Sequence, residues 1–158
     1  RMNRRYTPEE YLEKCDLLRQ YYEHPAITTD IIVGFPGETE EEFKETCDFV
    51  KKVDFYEVHV FKYSKRNGTV AASMPDQIKE SVKAERSGIL MELAEKQKKE
   101  FIDYYKGKEV SVLFEEPVEV DGVRYFEGLT PEYVKVWVPT EENLANRIMK
   151  VEFFPYLY

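Results

Sequence analysis

The sequence predicts a mixed architecture: an α/β segment built on parallel strands, then a long helix, then a small all-β segment. Three observations predict it. Helical and strand-like patterns alternate as α-β-α-β up to about Thr69, the order of parallel-sheet domains. One apolar stripe at helical spacing then runs from Asp76 to Tyr105. From Lys108 onward the period drops to two, in short runs with no helix between them.

Each element has a local cause. Thr7-Pro8-Glu9-Glu10 opens the first helix, with Thr7 as cap, Pro8 at the first helical position and Glu10 completing a capping box. Tyr11, Leu12, Cys15, Leu18 and Tyr22 then recur on one helical face, and His24-Pro25 ends it. Ala26 to Val33 is short, β-branched and mostly apolar, as a strand covered on both faces reads. Gly34-Phe35-Pro36-Gly37 turns the chain, and a second capping box, Thr39 with Glu42, starts the next helix, whose apolar side is Phe43, Cys47, Phe49, Val50 and Val53. Tyr56 to Tyr63 forms the second strand. Val82, Ile89, Leu90, Leu93, Ala94, Phe101, Ile102 and Tyr105 make the stripe of the long helix, which Gly107 stops. Five short strands are expected after it: Glu109 to Phe114, Pro117 to Val120, Val123 to Phe126, Tyr133 to Val138 and Ile148 to Phe153. Asp121-Gly122 supplies a type I′ hairpin turn between two of them. Five strands in so short a segment suggest a small, nearly closed barrel.

Composition narrows the function classes. The chain has 158 residues, 42% apolar and 34% charged, the balance of a folded globular protein. No apolar run approaches the roughly 20 residues that cross a bilayer. Cys15 and Cys47 read as two reduced thiols of a cytoplasmic protein. Two cysteines are too few for an iron–sulfur cluster or a structural zinc. The formal charge is −8, from 31 acidic and 23 basic residues, which opposes nucleic-acid binding by the chain as a whole. Arg1-Met2-Asn3-Arg4-Arg5-Tyr6 runs straight into the first helix signal and reads as a chain entered in mid-domain.

Three segments carry candidate chemistry. Asp30 to Phe43 is a strand, a glycine turn and a helix start, where parallel α/β proteins bind ligands at strand C-termini. Gly34 and Gly37 would admit a ligand to the backbone and the helix amides would favour an anion, but the same residues also make an ordinary tight turn. Strand alternation puts Glu57, His59, Phe61 and Tyr63 on one face, either lining a cavity or packing as a satisfied core histidine among aromatics. Lys62, Lys65 and Arg66 beside Tyr63 are the densest basic-aromatic cluster after the N-terminal arginines, suited to phosphate or base contacts or to plain solvation. Glu38, Glu40, Glu41 and Glu42 read as helix-dipole stabilisers.

Taken in order, four stretches resemble the methylthiotransferase family of radical S-adenosylmethionine enzymes. They are Met2 to Thr7, Thr29 to Thr39, His59 to Thr69, and Gly128 to Val136, the last similar to the end of a TRAM domain, the small RNA-binding barrel of that family. The resemblance implies three parts: residues 1–75 as the C-terminal portion of a partial (β/α) radical SAM barrel, 76–106 as a long helix closing it, and 107–158 as a five-stranded TRAM barrel. It implies adenosylmethionine as cofactor, bound by Val33, Gly34, Phe35, Pro36, Gly37 and Glu38, with His59, Phe61 and Tyr63 lining the same cavity. It implies tRNA, at the anticodon region, as partner, with Lys62, Lys65, Arg66, Arg124, Tyr133, Lys135 and Trp137 as RNA contacts. In an intact enzyme of this family one 4Fe–4S cluster would generate a 5′-deoxyadenosyl radical that takes hydrogen from C2 of the adenine, and a second would supply sulfur. None of the cluster cysteines is in this chain, so it holds no catalytic or metal-ligating residue of its own and is expected to be inactive alone.

Asn3-Arg4-Arg5-Tyr6 and His59-Val60-Phe61 are most similar to the branch acting on N6-threonylcarbamoyladenosine beside the anticodon. The branches for isopentenyladenosine and for a ribosomal protein are the alternatives within the family, and a non-catalytic RNA-binding adaptor is the alternative outside it. Residues 107–158 carry five basic residues against ten carboxylates, a net −5, which argues against the adaptor. An open edge along Ala26 to Val33 predicts self-association of this chain. Size-exclusion chromatography with light scattering should show mass rising with concentration; monomer at every concentration overturns it.

Overall fold

The computed structural model describes residues 1–155 and divides at Lys98/Lys99 into two compact units. The first unit contains helix α1 (Pro8–Tyr21), strand β1 (Thr28–Val33), helix α2 (Glu40–Val53), strand β2 (Glu57–Lys62), a single helical turn α3 (Val70–Ser73) and most of helix α4 (Glu80–Asp103). β1 and β2 pair in parallel, Thr28 beside Glu57 through Val33 beside Lys62, with α2 as the crossover. Both expected capping boxes form: Thr7 with Glu10, and Thr39 with Glu42.

The core of this unit gathers Cys15, Ile27, Val33, Phe43, Cys47, Val50, Val53, Phe55, Val58, Leu90 and Ala94. Cys15 and Cys47 are buried free thiols, and burial raises the pKa of both, so neither is a ready nucleophile or ligand. The C-terminus of α2 is held by side chains. Asp54 caps it in the left-handed conformation, the Arg19 guanidinium donates to the Asp54 carbonyl at 2.9 Å, and Gln97 donates to the Val50 carbonyl at 3.1 Å.

Three expectations need correction here. β1 is not covered on both faces: Thr29, Ile31 and Val33 point inward while Thr28, Asp30 and Ile32 are exposed, the alternation of a sheet with one open face. Leu18 and Tyr22 of α1 lie on the surface, because only the turn around Tyr11, Leu12 and Cys15 packs on the core. Ile89 of α4 is also exposed, since the buried line of that helix runs through Lys83, Arg86, Leu90, Ala94 and Gln97.

The second unit is an antiparallel sheet of four strands in the order β5-β4-β3-β6: β3 (Glu109–Val120), β4 (Val123–Leu129), β5 (Lys135–Pro139) and β6 (Ile148–Glu152). Four strands replace the expected five because Glu109–Val120 is continuous, with a bulge between Phe114 and Glu116. Pro117 does not break it. β6 pairs only with Glu109–Leu113, so beyond the bulge β3 has a neighbour on one side, where a missing N–H is tolerated. The pairings of the described residues leave β5 and β6 as edges and do not close a barrel. Asp121 and Gly122 both have positive φ, 51° and 75°, as the expected hairpin turn requires. Val112, Phe114, Phe126, Val134 and Phe153 are its fully buried side chains. Tyr156, Leu157 and Tyr158, the end of the 107–158 segment, lie outside the described residues.

Candidate functional site at the strand ends

β1 and β2 end side by side, and the ladder continues one step beyond them: the Tyr63 N–H donates to the Val33 carbonyl at 2.8 Å. At this end β1 enters the turn Gly34 to Glu38. Gly34 and Gly37 both have positive φ, 73° and 78°. The open side of each glycine is filled by the chain itself. A Cβ on Gly34 would lie 2.4 Å from Cγ of Lys83, and one on Gly37 would lie 3.0 Å from the Arg1 guanidinium.

The backbone donors of the turn are engaged too. The Gly34 N–H donates to Glu38 Oε2 at 2.7 Å, the Gly37 N–H to the Asp76 carbonyl, and the Glu38 N–H to the Phe35 carbonyl, each of the last two at 2.9 Å. The Thr39 hydroxyl takes the Glu42 N–H, and the Glu42 carboxylate takes the Thr39 N–H. The amides of Gly34, Gly37, Glu38, Thr39 and Glu42 are thus engaged within the chain.

Behind the turn stands α4. Arg86 Nη1 donates to Glu38 Oε2 at 2.6 Å and to the Glu38 carbonyl at 3.1 Å, while Nη2 reaches Glu40 at 3.1 Å. The Arg86 and Glu38 side chains are only 6% and 13% exposed. Burial pushes the Arg86 pKa down, but the hydrogen bonds and charges of Glu38 and Glu40 outweigh it and leave it raised, so the guanidinium stays charged. One helical turn earlier, Lys83 Nζ donates to the Tyr63 carbonyl at 3.0 Å and to Glu80 at 2.7 Å. It also lies 5.3 Å over the Tyr63 ring.

The open face of the two strands brings Asp30 beside His59 and Ile32 beside Phe61. The His59 side chain is 55% exposed, which removes the reading of a satisfied core histidine. Phe61 is 51% exposed, an apolar surface on a sheet face. Tyr63 and Phe35 pack edge to face at 5.5 Å at its rim, both half-buried, with the Tyr63 hydroxyl buried and unpartnered. Of the predicted residues, then, His59 and Phe61 share this face with Phe35 and Tyr63 at its end, whereas Val33, Gly34 and Pro36 are buried beneath it and Gly37 and Glu38 lie in the turn. Beside β2 a groove of about 310 Å³ opens against α4, lined by Glu57, His59, Phe61, Met91, Glu95 and Lys98 among others.

Asp30, Ile32, Lys83 and Arg86 were not among the predicted site residues. The signal for the two cations was their place in the line Lys83, Arg86, Leu90, Ala94, Gln97, which is helical spacing with charges where apolar side chains belong.

The predicted RNA contacts fall in two places. Lys62, Lys65 and Arg66 are exposed around the chain segment that leaves β2. In the second unit Glu127 ties down two of the others, accepting from Trp137 Nε1 at 2.6 Å and pairing with Lys135 at 2.8 Å. Arg124 pairs with Glu141 at 3.5 Å. Tyr133 is 73% exposed at a positive φ of 63°.

Cys15 and Cys47 are both buried with raised pKa values, and among the described residues no group of three His, Cys, Asp or Glu side chains is placed to hold a metal ion. No helix among the described residues is long and apolar enough to cross a membrane.

Comparison with known proteins adds the chemical context. Residues 1–50 match the Radical SAM superfamily. A Bacillus subtilis protein named threonylcarbamoyladenosine tRNA methylthiotransferase MtaB is 42% identical over 161 aligned residues, covering 99% of this chain and 36% of the relative. A tRNA-2-methylthio-N(6)-dimethylallyladenosine synthase of a Thermoanaerobacter species is 55% identical over 115 residues, 73% of this chain and 24% of the relative. A synthase of the same name from Acetivibrio thermocellus is 42% identical over 150 residues, 95% of this chain and 31% of the relative. The chain thus spans about a third or less of the length of these curated relatives. Along the length it shares with them, the chain is similar to radical S-adenosylmethionine methylthiotransferases.

Proposed function

We propose that this chain is part of a cytoplasmic tRNA-modifying enzyme that methylthiolates C2 of N6-threonylcarbamoyladenosine at position 37, beside the anticodon. The observation that carries the substrate branch is the 42% identity to the Bacillus subtilis threonylcarbamoyladenosine enzyme across 99% of this chain. The 55% identity to a dimethylallyladenosine synthase over 73% of it supports a second reading, the isopentenyl-type adenosine as substrate.

The open face at the strand ends suits adenosylmethionine. Phe61 and Phe35 offer aromatic surface to the adenine, and Ile32 widens the apolar floor. Asp30, exposed beside His59, offers a carboxylate to the cationic groups of the cofactor. Val33 to Glu38 with Tyr63 form the rigid wall. When bound, adenosylmethionine supplies the methyl group and the oxidising radical chemistry. The cluster ligands must come from outside these residues, so the chain alone is proposed to be inactive.

Residues 107–158 are assigned as the TRAM domain and 1–75 with 76–106 as the radical SAM part. Because Lys135 and Trp137 are held by Glu127, the RNA reading rests most on Lys62, Lys65 and Arg66. Lys65→Ala with Arg66→Ala should weaken binding of an anticodon stem-loop and lower the slope of log K against log salt by about two. An unchanged slope removes these residues from the interface.

The reaction is tested on the intact gene product, reconstituted anaerobically with iron and sulfide and given adenosylmethionine and tRNA bearing threonylcarbamoyladenosine. Mass spectrometry of the digested tRNA should show the methylthio nucleoside. Product only on isopentenyladenosine tRNA or on the ribosomal protein keeps the family and overturns the branch. No product on any of them, with clusters intact, overturns the reaction.

A further inference from the structure

α4 places two cations, Lys83 and Arg86, where its buried stripe calls for apolar side chains, and both are nearly inaccessible. We infer that Arg86, seconded by Lys83, is a positioning residue that fixes the Gly34–Glu38 turn and the adjoining strand end in the geometry the cofactor needs. The inference rests on the reading of that turn as the cofactor wall and adds to it the residues that hold the wall still.

Stability alone does not account for these charges. A buried ion pair contributes little compared with apolar side chains of equal volume, because desolvation offsets the attraction. What the pair does supply is direction. The Glu38 carboxylate bridges two groups: it accepts the Gly34 N–H at 2.7 Å and Arg86 Nη1 at 2.6 Å through the same Oε2. Arg86 also binds the Glu38 carbonyl, so backbone and side chain of the last turn residue are both fixed. Through one nitrogen, Nη1, the guanidinium sets the Glu38 carboxylate and carbonyl while Nη2 anchors on Glu40, and the carboxylate sets the first residue of the turn, at a positive φ where Gly34 has wide freedom.

Lys83 does the same for the neighbouring strand. Its ammonium holds the Tyr63 carbonyl just past β2, and its aliphatic stem covers the open side of Gly34. One turn of one helix thus references the ends of both parallel strands. Binding constellations lose affinity when their supports shift by fractions of an ångström, so the support is part of the site.

Hydrogen exchange by NMR on this chain separates positioning from stability. Arg86→Lys keeps the charge but loses the planar group whose two nitrogens join Glu38 to Glu40. Protection of the Gly34 amide should fall at least about tenfold more than protection of the α2 interior amides, which report opening of the unit as a whole. Equal change at Gly34 and in α2, or none at Gly34, overturns the inference. Arg86→Gln, neutral and able to donate through only one nitrogen, is read in the same way and decides the matter if Arg86→Lys does not fold. In parallel, S-adenosylhomocysteine is titrated into the unaltered chain and into Arg86→Lys, following the amides of residues 33–38. Shifts in the unaltered chain with at least about fivefold weaker binding in the variant support positioning for a ligand; equal binding in the two overturns it. No shifts in the unaltered chain remove the cofactor reading of the turn and the ligand half of the inference with it, while the exchange experiment still judges whether Arg86 holds the turn.

Discussion

Replacing Arg86 with Met should lower the unfolding free energy of the first unit by about 3–5 kcal/mol, the range for breaking a buried ion pair from one side. The loss does not come from the attraction itself. Removal of the guanidinium leaves the Glu38 carboxylate, 13% exposed, with the Gly34 N–H but no counter-charge. It also removes the donor to the Glu38 carbonyl and the cation 5.4 Å over the Phe43 ring. Glu40 is 76% exposed and rehydrates at little cost, so it adds little to the effect. The cause is separable by a second substitution. Glu38→Gln removes the stranded charge and can still accept the Gly34 N–H, so Arg86→Met with Glu38→Gln should recover about half of the loss or more. Urea unfolding monitored by circular dichroism measures both. A loss below about 1 kcal/mol for Arg86→Met would place the pair among ordinary surface ion pairs.

The contrast between what was legible and what was not follows the range of the interactions. Thr7 with Glu10 and Thr39 with Glu42 were readable because a capping box closes within four residues. The α-β-α-β order and the Asp121-Gly122 turn were readable for the same reason, each being set by neighbours in sequence. The helical spacing of Arg86 with Leu90 and Ala94 hinted at burial, but its role was not readable, because its partner Glu38 lies 48 residues away and a charge on a helix is assigned to solvent by default. Gln97 is the parallel case, with its acceptor at Val50 on another helix. The break expected between Phe114 and Pro117 erred in the opposite direction: the strand runs through it, and the short reach of β6 along β3 shows why Pro117 is tolerated there.

The site divides along the same line. Strand alternation correctly placed His59 and Phe61 on one face, but the partners that complete the face, Asp30 and Ile32, depend on the register between β1 and β2. A parallel pair joined through a helix has no turn that fixes register locally, so the sequence does not reveal that Asp30 meets His59. Family resemblance supplied the chemistry. Register and the buried cations supplied the geometry.

In the second unit the largest expected effect belongs to Gly128→Ala, with a loss of about 2–3 kcal/mol. Gly128 has no unusual φ, so conformational freedom is not the reason for glycine here. The reason is approach. Gly128 pairs with Phe114 at the bulge in β3, and a Cβ there would lie 2.5 Å from the Leu113 carbonyl oxygen, 2.6 Å from Val112 Cγ1 and 2.9 Å from Phe114 Cα. Two of these three are backbone atoms of a paired strand, which cannot rotate aside as a side chain can. Relief must come from spreading β3 and β4 at the point where Phe114 and Phe126, both fully buried, anchor the unit. Alanine stiffens the unfolded chain and returns up to about 1 kcal/mol, which reduces the loss without reversing it. The same substitution at Gly88, within α4, meets no atom within 4 Å and has no positive φ, so there it should stabilise by about 0.5–1 kcal/mol. Opposite signs for one chemical change, read by urea unfolding of the two variants, would show that strand contact and not glycine content sets the outcome. A neutral Gly128→Ala would mean that the bulge yields, and with it that the spacing of β3 and β4 is not rigid.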